Sequence, residues 1–144
     1  MILVDANLLL YAYHPRAAEH EASRRWLETA LAGPELVRFA WLTLWAFLRL
    51  ATHSRVFERP LSATEAEAAV SAWLAQPCAG VLEPSERHWA ILRELIRSGQ
   101  ASGPLVMDAA MAALAIEHGA LWFSADRGFA RYPGLRSAHP LEAD

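Results

Sequence analysis

The chain has 144 residues, 54% of them hydrophobic and 20% charged, with a formal net charge of −3. That size and balance fit one globular domain over 1–144 and exclude a disordered chain, and no apolar run approaches the roughly 18 residues of a membrane span. The negative balance also denies the overall basic field that would announce a nucleic-acid binder. All 13 basic residues are nevertheless arginine, the side chain that grips phosphate bidentately. The abundance of alanine beside them points instead to GC-rich coding. The lone Cys78 permits neither an internal disulfide nor a cysteine zinc site. The first residues lack the basic start and small-residue cleavage site of a secretory signal, so a cytoplasmic location is expected.

In chain order, Met1–Val4 is a short, wholly apolar run of the kind buried in a parallel sheet. Leu8–Tyr13 continues apolar until His14-Pro15 breaks it. Ala17–Ala32 has helical spacing, with Ala18, Ala22, Trp26 and Leu31 on one side, and Gly33-Pro34 stops it. Leu36–Ala40 is a second strand candidate. Leu42–Thr52 is a strongly apolar helix. Ser62-Ala63-Thr64-Glu65 has the form of a capping box for a helix reaching about Ala75. Gly80–Leu82 is a further strand. Ser85–Ser98 is a helix with a serine cap and with Trp89, Leu92 and Ile96 spaced toward a core. After a Gly/Ser/Pro loop, Val106–His118 is an alanine-rich helix that Gly119 terminates. Ala120–Ser124 is a strand, and Pro133-Gly134 marks a late turn. Strands alternating with helices predict an α/β fold with a parallel sheet, whose ligands sit at the carboxyl ends of the strands.

Three aspartates fall at such tips. Asp5 ends the first strand, Asp126 follows the strand ALWFS, and Asp108 opens the alanine-rich helix. In a parallel sheet all three share one edge. Carboxylates a few ångströms apart raise one another's pKa, and a hard divalent ion, Mg²⁺ or Mn²⁺, relieves this with oxygen ligands and retained waters. Each aspartate also has a plainer explanation. Asp5 could cap the next helix, Asp108 could complement a helix dipole, and Asp126 could serve the turn Ser-Ala-Asp-Arg-Gly.

The segment MILVDANLLLYAY resembles the opening of PIN-domain proteins, in particular the VapC-like toxins of bacterial toxin–antitoxin pairs. FLRLATHSRVF is similar to a segment of one branch of those toxins, and MDAAMAALAIEHGALWFSADRGFARYPGL, followed by HPL, is similar to their C-terminal half. The resemblance implies a three-layer α/β/α domain with a central, mainly parallel sheet. It also implies Mg²⁺- or Mn²⁺-dependent endoribonuclease activity on RNA, a homodimer, and neutralisation by a small antitoxin. Asp5, Asp108 and Asp126 match the family acids as catalytic and metal-holding residues. Asn7 and Ser124 match polar positions that hydrogen-bond around them. Two departures stand out: the family's glutamate on the helix read as Leu42–Leu50, expected near Leu44 or Ala46, is missing, and position 128 is glycine where a second late aspartate is common.

The expected reaction is metal-assisted hydrolysis of a phosphodiester. Asp5 and Asp108 are the principal ligands, and Asp126 holds a water or a second ion. No serine sits in a Gly-x-Ser-x-Gly turn, and the histidines lack helical zinc spacing. Arg49, Arg55 and Arg127 flank the proposed pocket in sequence and are RNA-contact candidates, with solvated surface as the alternative. His53 is read as a turn or packing residue. Trp26, Trp73 and Trp89 are read as core, while Trp41 and Trp45 lie near a possible groove that could anchor an antitoxin helix or the dimer partner. The rival reading is a catalytically degenerate PIN fold that binds RNA or protein without cutting. A phosphoryl-transfer enzyme with Asp5 as nucleophile ranks last, because Asn7 occupies the place of its second acid.

Overall fold

The computed structural model describes residues 1–142; residues 143 and 144 of the expected domain lie outside them. Among the described residues, five strands form one sheet in the order β3-β2-β1-β4-β5, and every pair is parallel. They are β1 (Ile2–Val4), β2 (Val37–Ala40), β3 (Ala79–Leu82), β4 (Leu121–Phe123) and β5 (Ser137–Ala138). The helices are α1 (Ala6–Ala12), α2 (His20–Ala32), α3 (Trp41–Ala51), α4 (Ala63–Leu74), α5 (His88–Ser98) and α6 (Leu105–His118), with a short 3-10 helix at Arg127–Arg131. No helix among the described residues is long and apolar enough to cross a membrane.

Strand alternation sorts the core into two layers. Ile2, Val4, Val37 and Phe39 project to one face, where they meet Leu8 and Leu9 of α1, Leu27 of α2, Leu44 and Phe47 of α3, and Trp73 of α4. Leu3, Ala40 and Trp122 project to the other face, under α5 and α6. The result is the expected α/β/α sandwich. Small residues on α6, Ala109, Ala112, Ala113 and Ala115, are all buried, so this helix lies close over the sheet. Gly119, at φ 65°, closes α6 in the left-handed conformation that favours glycine. The Ser62–Glu65 capping box forms as its sequence predicts.

Several elements differ from the sequence reading. α2 begins at His20, so Ala18 sits exposed in the preceding turn, and Ala22 is exposed too. The inward stripe of α2 is the buried Ser23 and Leu27 with the half-buried Trp26 and Ala30, and Ser23 Oγ donates to Leu8 O at 2.6 Å. α5 starts later than expected, with Arg87 at the cap position; Ser85 Oγ accepts from Arg87 N–H at 3.2 Å in the turn before it, and the buried Glu117 carboxylate accepts from Ser85 N–H at 2.7 Å. His88 Nδ1 lies 2.7 Å from the same carboxylate. A side chain remote in sequence thus serves that helix end. Trp89 is 65% exposed, because Ile91, Leu92, Leu95 and Ile96 form the inward face of α5. β5 and the 3-10 helix carry no periodicity long enough to announce them.

The 3-10 helix is pinned by an aromatic column, Trp122 to Phe129 (centroids 5.0 Å) and Phe129 to Tyr132 (6.0 Å). Tyr132 donates its hydroxyl to Leu105 O at 3.0 Å, tying this segment to the start of α6. Gly99 leaves room for that ring: a Cβ there would lie 2.7 Å from Tyr132 Cε1 and 2.9 Å from Leu95 O. Gly99→Ala is therefore expected to cost about 1–3 kcal/mol, the usual range for overpacking, seen as a lower urea midpoint with an unchanged slope.

Candidate active site at the carboxyl edge of the sheet

The pairing of β1 with β4 sets Val4 beside Phe123. The ladder runs one step further, with Asp5 N–H donating to Phe123 O at 2.9 Å, so Asp5 and Ser124 emerge together at the sheet's carboxyl edge. Ser124 Oγ donates to Asp5 Oδ2 at 2.6 Å. The same oxygen accepts from Asn7 Nδ2 (3.2 Å) and from Asp126 N–H (2.9 Å), while Asn7 Oδ1 accepts from Ala125 N–H (3.3 Å). One buried hydroxyl therefore joins the end of β1, the start of α1 and the β4 exit.

Asp108 arrives from a third direction, in the first turn of α6. Asp5 and Asp108 bound one cleft of about 230 Å³, whose α3 wall carries Leu42, Thr43, Ala46 and Arg49 and whose α6 side adds Met107 and Met111. Asp126 does not line that cleft: it borders a separate pocket with Ser124, Arg127 and His139, and its Oδ1 accepts from Gly128 N–H at 2.8 Å and caps the 3-10 helix. Asp5 does not cap α1 with its side chain.

Burial pushes the Asp5 carboxyl from its ordinary 3.8 up to about 6; the Ser124 and Ala6 hydrogen bonds oppose this, and the charges of Asp108 and Asp126 reinforce it. Burial also raises Asp108, Asp126 adds to that, and Arg131 offsets part of it. The three acids thus feel one another, and among the described residues no basic side chain forms an ion pair with Asp5. Among those residues, too, no three Asp, Glu, His or Cys side chains are grouped tightly enough to hold an ion unaided. The donor set still fits a hydrated hard cation, which is held by one or two carboxylates and keeps several waters.

Of the arginine candidates, Arg49 lines the cleft. Arg55 is exposed in the α3–α4 connection, outside the lining residues. Arg127 forms an ion pair with Glu142. His53 serves its turn, Nδ1 accepting from Arg55 N–H at 3.0 Å. Sequence reasoning missed Arg131, Tyr132 and Thr43. The first two depend on the unannounced 3-10 helix, and Thr43 was hidden in an apolar stretch. Trp41 and Trp45, 42% and 61% exposed, border a neighbouring groove of about 400 Å³ that shares Leu42 and Met111 with the cleft.

A family profile described as PIN domain matches residues 2–135. The chain belongs to the PIN-domain family. This PIN domain is 44% identical over 140 residues to "Ribonuclease VapC37" of Mycobacterium tuberculosis, covering 97% of each chain. It is 43% identical over 142 residues to "Ribonuclease VapC43" of the same species, covering 99% of this chain and 97% of the relative. These likenesses make it a VapC-like member of the family. Its fold matches VapBC2 of Rickettsia felis bound to a promoter DNA fragment, with TM-score 0.69 at 15% identity over 96% of this chain and 98% of that one. It also matches the sarcin-ricin-loop-cleaving VapC20 of M. tuberculosis, with TM-score 0.65 at 19% identity over 94% and 99%.

The two positions named for the absent helix acid differ in setting. Leu44 is fully buried in the core, whereas Ala46 lines the cleft. At position 128 a Cβ would lie 3.0 Å from Asp126 Oδ1, so glycine lets the turn close over that carboxylate.

The raised Asp5 value has a consequence for stability. The folded chain holds this proton more tightly than the unfolded one, so stability is gained as pH falls from 6 toward 3.8 and lost as pH rises through 6. Asp5→Asn cannot ionise. Without divalent cations it is expected to stabilise the fold at pH 8 by about 3 kcal/mol and to come close to the wild type near pH 4, measured by urea unfolding at both pH values.

Proposed function

We propose that this chain is a toxin endoribonuclease that hydrolyses RNA phosphodiester bonds with Mg²⁺ or Mn²⁺ and is restrained by a small antitoxin protein. The carrying observation is the buried Asp5 carboxylate, locked by Ser124, facing Asp108 across one cleft without a basic partner. Similarity to VapC ribonucleases over nearly the whole chain supports the RNA substrate. The VapBC fold neighbour, whose name is that of a toxin–antitoxin pair, supports the antitoxin. The same reading makes 1–144 one domain, acting in the cytoplasm as a homodimer.

When bound, the cation supplies positive charge that polarises a phosphoryl oxygen and activates water. Asp5 and Asp108 hold it, with Ser124 fixing the orientation of Asp5 and Asn7 fixing that of Ser124. Asp126, beside Ser124, orients water from the neighbouring pocket. Arg49, on the cleft wall, receives a phosphate of the substrate. Arg55 and Arg127 serve as outer phosphate contacts, which position RNA without reading its sequence.

A second reading, a degenerate fold that binds RNA without cutting, is favoured by Ala46 and Gly128, which leave the cleft with fewer acids. Partner-free protein incubated with a mixed RNA pool separates the two. Cleavage is expected with Mn²⁺ or Mg²⁺ and not with chelator, and Asp5→Asn is expected to lower it by at least about 10–100-fold. RNA retention without cleavage at any metal level would establish the second reading instead.

Ser124→Ala removes the donor to Asp5 while leaving every acid in place. Its expected effect is a rise in the pH needed for half-maximal cleavage, because the Ser124 hydrogen bond is what holds the Asp5 value down.

A further inference from the structure

The α3 wall of the cleft carries one oxygen-bearing side chain. Thr43 is 3% exposed, and its hydroxyl has a single partner among the described residues, Met111 Sδ at 3.8 Å. A thioether is a weak acceptor, so this hydroxyl keeps its lone pairs free and its proton loosely committed. Buried hydroxyls ordinarily find a strong partner. This one instead borders the cavity that Asp5 and Asp108 bound, and no other lining residue brings a side-chain oxygen apart from those two aspartates. A cation held by two carboxylates keeps waters whose protons need acceptors on the remaining sides.

We propose that Thr43 is a positioning residue for the cation, its Oγ1 accepting a hydrogen bond from a hydration water on the α3 side of the cleft. The assignment rests on the reading of this cleft as a divalent-cation site. It gives the wall at Thr43 and Ala46 a neutral oxygen in place of a carboxylate. A neutral acceptor adds no charge to the repulsion among Asp5, Asp108 and Asp126, and it leaves room for an anionic phosphate.

Mn²⁺ titration of the intact chain, followed by electron paramagnetic resonance at pH 7.5, tests this with Thr43→Val, Thr43→Ala, Thr43→Ser and Asp5→Asn. The valine variant keeps the shape and removes the oxygen. The alanine variant covers the case in which valine fails to fold, judged by circular dichroism. Both are expected to bind Mn²⁺ about tenfold more weakly than wild type, Thr43→Ser within about twofold, and Asp5→Asn to lose binding. If Thr43→Val and Thr43→Ala bind as wild type while Asp5→Asn does not, the role of Thr43 is overturned and the cation cleft stands. If Thr43→Ser binds as weakly as Thr43→Ala, the methyl and not the hydroxyl matters, and the role is again overturned. If wild type binds no Mn²⁺, or Asp5→Asn binds as wild type, the cation cleft itself falls and takes this role with it.

Discussion

The hydrogen bond from Ser124 to Asp5 is the constraint on which the site depends. It spans 119 residues of sequence and 2.6 Å of space. Parallel pairing of β1 with β4 brings the two residues level, and the bond then fixes which way the carboxylate faces. Burial makes the bond valuable. An ionised carboxylate in a poorly solvated place needs donors or a cation, and Ser124 and the Ala6 N–H answer only part of that need. The unmet remainder is what gives the edge an appetite for positive charge.

The other two acids are set by different devices, and the contrast explains their different settings. Asp108 is delivered by α6, whose alanines let it lie close to the sheet and whose first turn is anchored to Tyr132. Asp126 is delivered by a turn and spends one oxygen on Gly128 N–H. It therefore combines a local structural duty with its electrostatic influence on the other two. Arg131, whose side chain donates to Gly99 O at 3.3 Å, tempers the charge of Asp108 without neutralising Asp5.

Much of this was legible in the sequence because the signals were local and strong. The apolar run ending at Asp5, the Ser62–Glu65 box and the α6–Gly119 stop each carry their own physical signature, and parallel topology then placed Asp5 and Asp126 at one edge. What was not legible came from tertiary contacts. Glu117 serves the start of α5 from across the chain, a buried acceptor that the serine expected as its cap gave no sign of. Trp89 has helical spacing with Leu92 and Ile96, yet the inward direction is chosen by Leu95, and tryptophan is left outside. The 3-10 helix, and with it Arg131 and Tyr132, has no periodicity to detect. Thr43 was invisible because its neighbours are apolar and its importance lies in what faces it.

The sheet order has a kinetic corollary for synthesis. β1 is made well before one of its two neighbours, β4, which begins only at residue 121. While the chain is still emerging, the strand that ends in Asp5 is bare along one side, and the serine that will clasp it has yet to be translated. The acidic edge can therefore assemble only once the chain through β4 and Asp126 is available, and a fragment released before that point does not carry it.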